Sequence, residues 1–194
     1  MCAFCKSEHS LIMNAKNTPI TLDDWIRASK TFIANGMRIA VISGGEPLVE
    51  ARKTLEIVRF LVEQDVYVVL NASGVTFLKK SVATVLQGVR PSLLIFSLDS
   101  AYASTHDTSR RVPGLFQAIF GAVEECVSEL HLPVGVRFVI TNQNYKELPD
   151  VIRLCKQARV DCLKITNIED DPDRVYTLSV SQLREFDGDI RRGA

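Results

Sequence analysis

The stretch Arg38–Pro47, which reads RIAVISGGEP, decides how the rest of the chain is interpreted. Its first half is apolar and β-branched, a pattern typical of a buried strand. Pro47 then opens a helical pattern in which Leu55, Val58 and Val62 recur at helical spacing. The Gly-Gly pair therefore lies at the carboxyl end of a strand, which is where α/β folds place their chemistry.

Two interpretations of this turn are open from its residues alone. Gly44 and Gly45 would let the backbone approach a ligand closely, and Glu46 would accept hydrogen bonds from a cationic group. Alternatively, the segment is an ordinary strand-to-helix turn in which Glu46 complements the helix dipole.

A strand–helix alternation continues along the chain. Strands are predicted over 38–43, 66–71, 92–97, 134–141 and 162–168, with helices between them, one over about 76–87 and one on the stripe from Leu115 to Leu130. We expect a parallel sheet whose strands are buried on both faces. The first helix, capped by Thr21 and Asp24, is expected to bury Trp25 and Phe32 in its apolar stripe.

Cys2 and Cys5 flank Phe4 near the start of the chain. Together with the later Gly-Gly-Glu-Pro turn, this pattern resembles the radical S-adenosylmethionine (radical SAM) superfamily. Its members carry Cys-x-x-x-Cys-x-aromatic-Cys after the first strand and Gly-Gly-Glu-Pro at the end of the second. Cys2 and Cys5 match the second and third cysteines, and the first would lie four positions before Cys2. We therefore expect the chain to begin inside the cluster loop, without one ligand and the first strand.

The resemblance implies an α/β fold of a particular kind, a partial TIM-type barrel. It would be an incomplete (βα)6 barrel with mostly parallel strands and the first strand missing. Residues 1–194 would form a partial radical SAM core domain, with 1–20 a remnant of the cluster-binding loop and 176–194 a C-terminal helix.

The resemblance also implies an oxidoreductase chemistry based on a [4Fe–4S] cluster and S-adenosylmethionine. In the family the cluster reductively cleaves S-adenosylmethionine, and the 5′-deoxyadenosyl radical abstracts hydrogen from a substrate. Two thiolates hold a four-iron cluster poorly, so we expect the 194-residue chain to be inactive by itself. The substrate would be a small molecule or a peptide, and the electron donor a flavodoxin or ferredoxin.

The site residues expected from the resemblance fall into two groups. Cys2 and Cys5 would bind the cluster. The residues expected around S-adenosylmethionine are Phe4, the turn Gly44, Gly45, Glu46 and Pro47 that would receive the methionyl amine, Ser97 and Asp99 at a strand end, and Arg110, which would meet the methionyl carboxylate.

Three further expectations concern individual side chains. Arg110 ends the stretch His106–Arg110, which resembles the His-Asp-x-x-Arg of the peptide-modifying branch, although a solvated loop charge is an equal alternative. Arg137, a further candidate for cofactor binding, lies in the middle of a strand and needs a partner, so it points into the barrel mouth or pairs outside. Asn71 ends a strand and is a weaker candidate for cofactor binding.

The composition of the chain limits which binding partners and which cellular compartment are expected. Acidic and basic residues balance at 23 each and the pI is about 6.8, so no global field attracts nucleic acid. No apolar run approaches the roughly 20 residues that span a bilayer, so no membrane partner is expected. Five cysteines argue against a disulfide framework and favour a reducing cytoplasm. Cys126, Cys155 and Cys162 are expected to be small buried hydrophobes.

Two rival classes remain open. One is a non-catalytic α/β barrel that serves as a binding module. The other is a non-radical α/β enzyme in which Glu46 and Asp99 act as acid and base.

Overall fold

A computed structural model describes residues 20–168, 173 and 175–193, with side chains as far as residue 188. Helices and strands alternate in this part of the chain. The five strands are β1 Ile39–Ile42, β2 Tyr67–Ala72, β3 Leu93–Ser97, β4 Val134–Val139 and β5 Cys162–Thr166. The α-helices are α1 Leu22–Ala34, α2 Ala51–Glu63, α3 Val82–Leu86, α4 Ala103–Arg110, α5 Leu115–Glu125, α6 Leu148–Gln157 and α7 Val180–Gly193.

The strands form one parallel sheet in the order β1-β2-β3-β4-β5, curled into a half-barrel. Each strand pairs with the next strand in the chain, as expected of right-handed β–α–β crossovers. This confirms the predicted partial barrel.

The outer face of the sheet is its hydrophobic core. Val68 and Leu70 of β2 and Leu94 and Phe96 of β3 are fully buried there against α2, α3 and α5. Val136 and Phe138 of β4 pack with α6 in a second cluster. A fully buried Val, Leu or Phe side chain contributes about 1.5–3 kcal/mol, so this face supplies the main stabilisation of the sheet.

The opposite, concave face is called the inner face below. The strand registers assign it Ile39, Val41, Tyr67, Val69, Asn71, Leu93, Ile95, Ser97, Gly135, Arg137, Val139, Cys162, Lys164 and Thr166. Ile39 and Val41 of the edge strand β1 are 64% and 55% exposed. The prediction that the strands are buried on both faces is therefore wrong for β1, and it is also wrong for β5, since neither edge strand has a buried residue. The described helices leave the inner face uncovered.

Helix α1 begins as predicted. Thr21 and Asp24 form a capping box, in which the Asp24 amide donates to Thr21 Oγ1 (3.1 Å) and the Thr21 amide donates to Asp24 Oδ2 (3.0 Å). Its predicted buried stripe is partly wrong, since Trp25 is 43% and Phe32 57% exposed. In the described part of the chain α1 packs mainly on α2, so only one side of the stripe is covered.

Two helical segments differ from prediction. The helix expected over 76–87 is split into a 3-10 turn, Val75–Leu78, and the short α3. The break occurs because Ser81 caps α3 and the Glu125 carboxylate accepts from the first amides of that helix, at 2.7 and 2.8 Å. Helix α4 has no predicted counterpart, because its sequence is polar and has no apolar periodicity.

The three described cysteines differ in burial. Cys126, at the start of a π-helical continuation of α5, and Cys155 are buried as predicted. Burial raises the pKa of Cys126 to about 12 and that of Cys155 to about 11, so both stay protonated thiols. Cys162 is only half-buried, because it begins β5 on the inner face, which the described helices do not cover, and its predicted burial is wrong.

The described residues contain neither a candidate membrane-spanning helix nor a candidate metal-binding cluster. None of their helices combines the length and the apolarity that a membrane crossing needs. Within the same residues, no group of three or more His, Cys, Asp or Glu side chains is placed to hold a metal ion. The predicted cluster ligands Cys2 and Cys5, and Phe4 between them, lie outside the described residues.

Candidate functional site

The predicted site residues that the structure describes gather at the carboxyl end of the sheet. Asn71 of β2 pairs in register with Ile95 of β3. Two residues further along β3, Ser97 pairs with Arg137 of β4. Because side chains alternate along a strand, Asn71, Ser97 and Arg137 all lie on the inner face. Arg137 therefore points towards the barrel interior, which decides between the two alternatives left by the sequence.

Polar atoms on this face are not fully satisfied. Arg137 donates from Nη2 to Ser97 Oγ over 3.3 Å. Arg137 Nε and Asn71 Oδ1 are both buried and have no hydrogen-bond partner among the described residues. An unpaired buried polar group costs about 1–3 kcal/mol, so such groups mark places where a ligand or water completes the bonding.

The Gly-Gly-Glu-Pro turn lies at the same end of the sheet, after β1. Gly44 and Gly45 have φ angles of +96° and +49°, which residues with a side chain rarely adopt. A Cβ atom built on either glycine would meet no described atom within 4 Å. The glycines are thus needed for backbone conformation, and no described residue crowds the position of a side chain at this turn.

Glu46 has a structural role at this turn. Its Oε1 accepts from the Leu48 amide (3.2 Å), which caps the 3-10 turn Pro47–Glu50, and its Oε2 accepts from the Ser73 amide (2.7 Å). The carboxylate therefore joins the turn after β1 to the end of β2. The interpretation of Glu46 as an acceptor at a helix start is confirmed, and its contact with a cationic ligand stays a prediction.

Asp99 follows β3 and is 2% exposed. Both of its carboxylate oxygens accept from the guanidinium of Arg110, Oδ2 from Nε and Oδ1 from Nη2 (2.8 Å). Arg110 lies at the end of α4 with a side chain only 10% exposed, so the alternative of a solvated loop charge is wrong. Its contact with a methionyl carboxylate stays a prediction.

The backbone of Asp99 is also fixed by buried side chains. The Asp99 amide donates to His106 Nδ1 (3.1 Å), and the Asp99 carbonyl accepts from Asn144 Nδ2 (2.8 Å). Burial lowers the pKa of His106 to about 4, although the Asp99 carboxylate opposes this shift. His106 is therefore neutral at pH 7, and because Nδ1 accepts, its proton is on Nε2.

Two further carboxylates hold the loops around this site. Asp107 accepts from the amides of Gly114 (2.6 Å) and Phe116 (2.9 Å) and so caps the start of α5. Glu147 accepts from the Ala101 amide (2.9 Å) and from the hydroxyl of the fully buried Ser100. Sequence reasoning missed Glu147, because its partners lie 46 and 47 residues away and leave no local pattern.

Comparison with known proteins identifies the class. The family model described as the Radical SAM superfamily matches residues 1–155, which is more than half of the chain. The chain therefore belongs to the radical SAM superfamily. Members of this family use a [4Fe–4S] cluster and S-adenosylmethionine.

The curated proteins similar to this chain are named for different reactions. The chain is 30% identical over 122 residues to the AdoMet-dependent heme synthase of Methanosarcina barkeri, covering 63% of this chain and 34% of that protein. It is 29% identical over 171 residues to the PqqA peptide cyclase of Rhodopseudomonas palustris, covering 87% of this chain and 43% of that protein. The chain thus spans less than half the length of either relative.

Solved structures share the fold. SuiB of Streptococcus suis, bound to its precursor peptide SuiA, superposes with a TM-score of 0.76 at 16% identity over 98% of this chain and 42% of that one. The enzyme anSMEcpe with bound AdoMet and a peptide gives a TM-score of 0.71 at 18% identity, over 99% of this chain and 57% of the other. At these identities the likeness shows the fold alone.

Proposed function

We propose that this protein is an enzyme that cleaves S-adenosylmethionine reductively at a [4Fe–4S] cluster and abstracts hydrogen from a substrate, with a peptide as the favoured substrate class. The observation that carries the proposal is a pair of buried atoms on the inner face, Asn71 Oδ1 and Arg137 Nε, that have no hydrogen-bond partner among the described residues. They lie at the end of the sheet that also holds the Gly44–Gly45 turn.

The described residues fit S-adenosylmethionine chemically. A donor at Arg137 and an acceptor at Asn71 suit the polar groups of a nucleoside and an amino acid. Gly44 and Gly45 expose backbone where the methionyl amine is expected, and Glu46 adds negative charge beside it. When bound to the reduced cluster, S-adenosylmethionine supplies a 5′-deoxyadenosyl radical that abstracts hydrogen.

The residues of this chain would position that chemistry. Ser97 and Arg137 are joined by a hydrogen bond and would orient the cofactor from β3 and β4. The Asp99–Arg110 pair, fixed through His106 and Asn144, would keep the loop after β3 rigid. A rigid scaffold supports a faster reaction than a flexible one, because small displacements of the reacting groups lower the rate steeply.

The peptide class is favoured by two lines of support. The stretch His106–Arg110 resembles the peptide-modifying branch. Among the relatives named above, one is a PqqA peptide cyclase and one structure contains a precursor peptide. The heme synthase relative supports a second candidate, a tetrapyrrole substrate, on 122 aligned residues.

The rival acid–base enzyme is disfavoured by the contacts of its two carboxylates. Glu46 already accepts two backbone amides, and Asp99 is held in a buried ion pair. A general acid or base needs a group that can exchange its proton with a substrate. The other rival, a non-catalytic binding module, is separated from the enzyme by the cleavage assay described next.

The test is anaerobic reconstitution with iron and sulfide, followed by measurement of 5′-deoxyadenosine formed from S-adenosylmethionine. We expect product from a chain that includes a cysteine four positions before Cys2, with reduced flavodoxin or ferredoxin as electron donor. Replacement of Cys2 or Cys5 by Ala should abolish the product. A reconstituted chain that binds S-adenosylmethionine without cleaving it would support the binding module, and activity in air without iron would overturn the radical mechanism.

A further inference from the structure

Two cationic residues lie side by side on the inner face. Arg137 of β4 and Lys164 of β5 are direct partners in the parallel register. Arg137 is fixed to the inner face by its hydrogen bond to Ser97, so Lys164 projects from that face too. Neighbouring strands are about 4.8 Å apart, which brings the bases of the two side chains close together.

The described residues of the inner face offer this pair no acidic counterpart. The fourteen inner-face positions defined above include no Asp or Glu. Neither Arg137 nor Lys164 forms an ion pair with any residue that the structure describes. Like charges directly opposite each other on adjacent strands destabilise a sheet, so the pair has a cost that no acidic residue of this face offsets.

We propose that Arg137 and Lys164 form a subsite for a carboxylate of the substrate, such as an acidic side chain of a peptide. The inference rests on the proposed function, since it assumes that the inner face holds cofactor and substrate. A carboxylate would accept from Arg137 Nε, which has no partner in the described part of the chain, and would neutralise the repulsion between the two cations. The substrate class then narrows to anionic molecules.

The carboxylate of S-adenosylmethionine is a less suitable occupant. Its amine and carboxylate are on the same carbon, and the amine is expected at the turn Gly44–Pro47 after β1. Lys164 lies four strands away in the sheet order, about 19 Å measured along the sheet. A separate substrate group can therefore occupy this far end of the sheet while the amino acid group of the cofactor occupies the near one.

The experiment uses the full chain labelled with nitrogen-15 and two isosteric probes. N-acetylglutamate amide carries the side-chain carboxylate, and N-acetylglutamine amide lacks the charge. We expect the acidic probe to shift the backbone amide signals around Arg137 and Lys164, and the neutral probe to leave them unchanged. Methionine, which carries the amine and carboxylate of the cofactor, should not shift the signals around Lys164.

Variants then measure the part that each cation plays. Lys164→Gln should raise the dissociation constant of the acidic probe about 2- to 5-fold, which is the range for the loss of an exposed ion pair. Arg137→Gln should raise it about 10-fold or more, because a less exposed charge-assisted hydrogen bond is lost. Lys156→Gln, an equal charge change on the exposed side of α6, is the control and should have no effect.

Three results would overturn the inference. They are equal binding of the two probes, equal effects of the substitutions at 164 and 156, and methionine binding that shifts the signals of 164. None of these measurements uses the cluster or the cleavage reaction. A protein that cleaves S-adenosylmethionine yet fails this test would keep the proposed function and lose only the carboxylate subsite.

Discussion

Arg110 donates to both carboxylate oxygens of Asp99, and the two side chains are 10% and 1% exposed. The pair joins the end of α4 to the loop that follows β3. His106, four residues before Arg110 on the same helix, accepts from the Asp99 amide. The His106–Arg110 stretch therefore fixes Asp99 twice, once through its backbone and once through its carboxylate.

Substitution of Asp99 by Asn should strongly destabilise the domain. It leaves the nearly buried Arg110 without its anionic partner, and breaking such a pair costs about 3–5 kcal/mol. Urea denaturation at pH 7 measures the loss. Glu56→Gln is the control, because its 3.7 Å ion pair with Arg59 is about half exposed and contributes at most about 1 kcal/mol. Similar losses in the two variants would contradict the structural importance of the buried pair.

The stability of the domain should depend on pH through His106. Its folded pKa of about 4 lies below the ordinary value of 6.5, so acid adds a proton to the unfolded chain before the folded one. The stabilisation is complete above pH 6.5 and is lost as the pH falls towards 4. Between pH 7 and pH 5 the loss is about 2 kcal/mol.

Comparison of the wild type with His106→Gln isolates this effect. The variant has no group that titrates in this window at position 106, so its free energy of unfolding should fall less between pH 7 and pH 5. Urea titrations at several pH values give both curves. Parallel curves would show that His106 is not the source of the pH dependence.

Substitution of Glu46 by Gln should destabilise the turn after β1. The amide keeps one oxygen acceptor but presents an NH2 group to the second backbone amide, at Leu48 or Ser73. An unsatisfied amide costs about 1–3 kcal/mol. Thermal unfolding should show a lower midpoint, whereas Glu50→Gln, at a side chain 73% exposed, should leave it nearly unchanged. An unchanged midpoint in the Glu46 variant would exclude the proposed clamp between β1 and β2.

Replacing glycine by alanine should lower the stability at the positive-φ turn after β1 and raise it inside helix α5. Gly44→Ala and Gly45→Ala force a side chain into positive φ and should each cost about 1–2 kcal/mol, although space is available. Gly121→Ala, in helix α5 with no atom within 4 Å of the added Cβ, should stabilise by about 0.5–1 kcal/mol. Guanidinium denaturation compares the three, and a stabilised Gly44 variant would contradict the φ argument.

Local signals predicted the regular elements well. The capping box of Thr21 and Asp24 and the five strands are confirmed because each depends on neighbours in the sequence. Prediction was wrong where a distant residue decided the outcome. The helix expected over 76–87 is broken in part by Glu125, more than forty residues away along the chain. Trp25 has an apolar helical position, but the described residues cover it only in part and leave it 43% exposed.

The candidate site shows the same division. The sequence indicated that Asn71, Ser97 and Arg137 end or occupy strands, but the shared face depends on the register between strands. The sequence also indicated Asp99 and Arg110 as separate candidates without predicting that they bind each other. A pairing between side chains on different elements leaves no periodic pattern to detect.

The sequence by itself determined the alternation of strands and helices, the glycine turn after β1 and the family resemblance, because these follow from residue type and spacing along the chain. Only the tertiary structure decided that Arg137 faces the barrel interior beside Lys164 and that Arg110 is held by Asp99. The physical reason is that a shift of one residue in strand register would move a whole strand's side chains to the other face. The folded packing of the outer face selects that register, and it thereby selects the chemistry of the inner one.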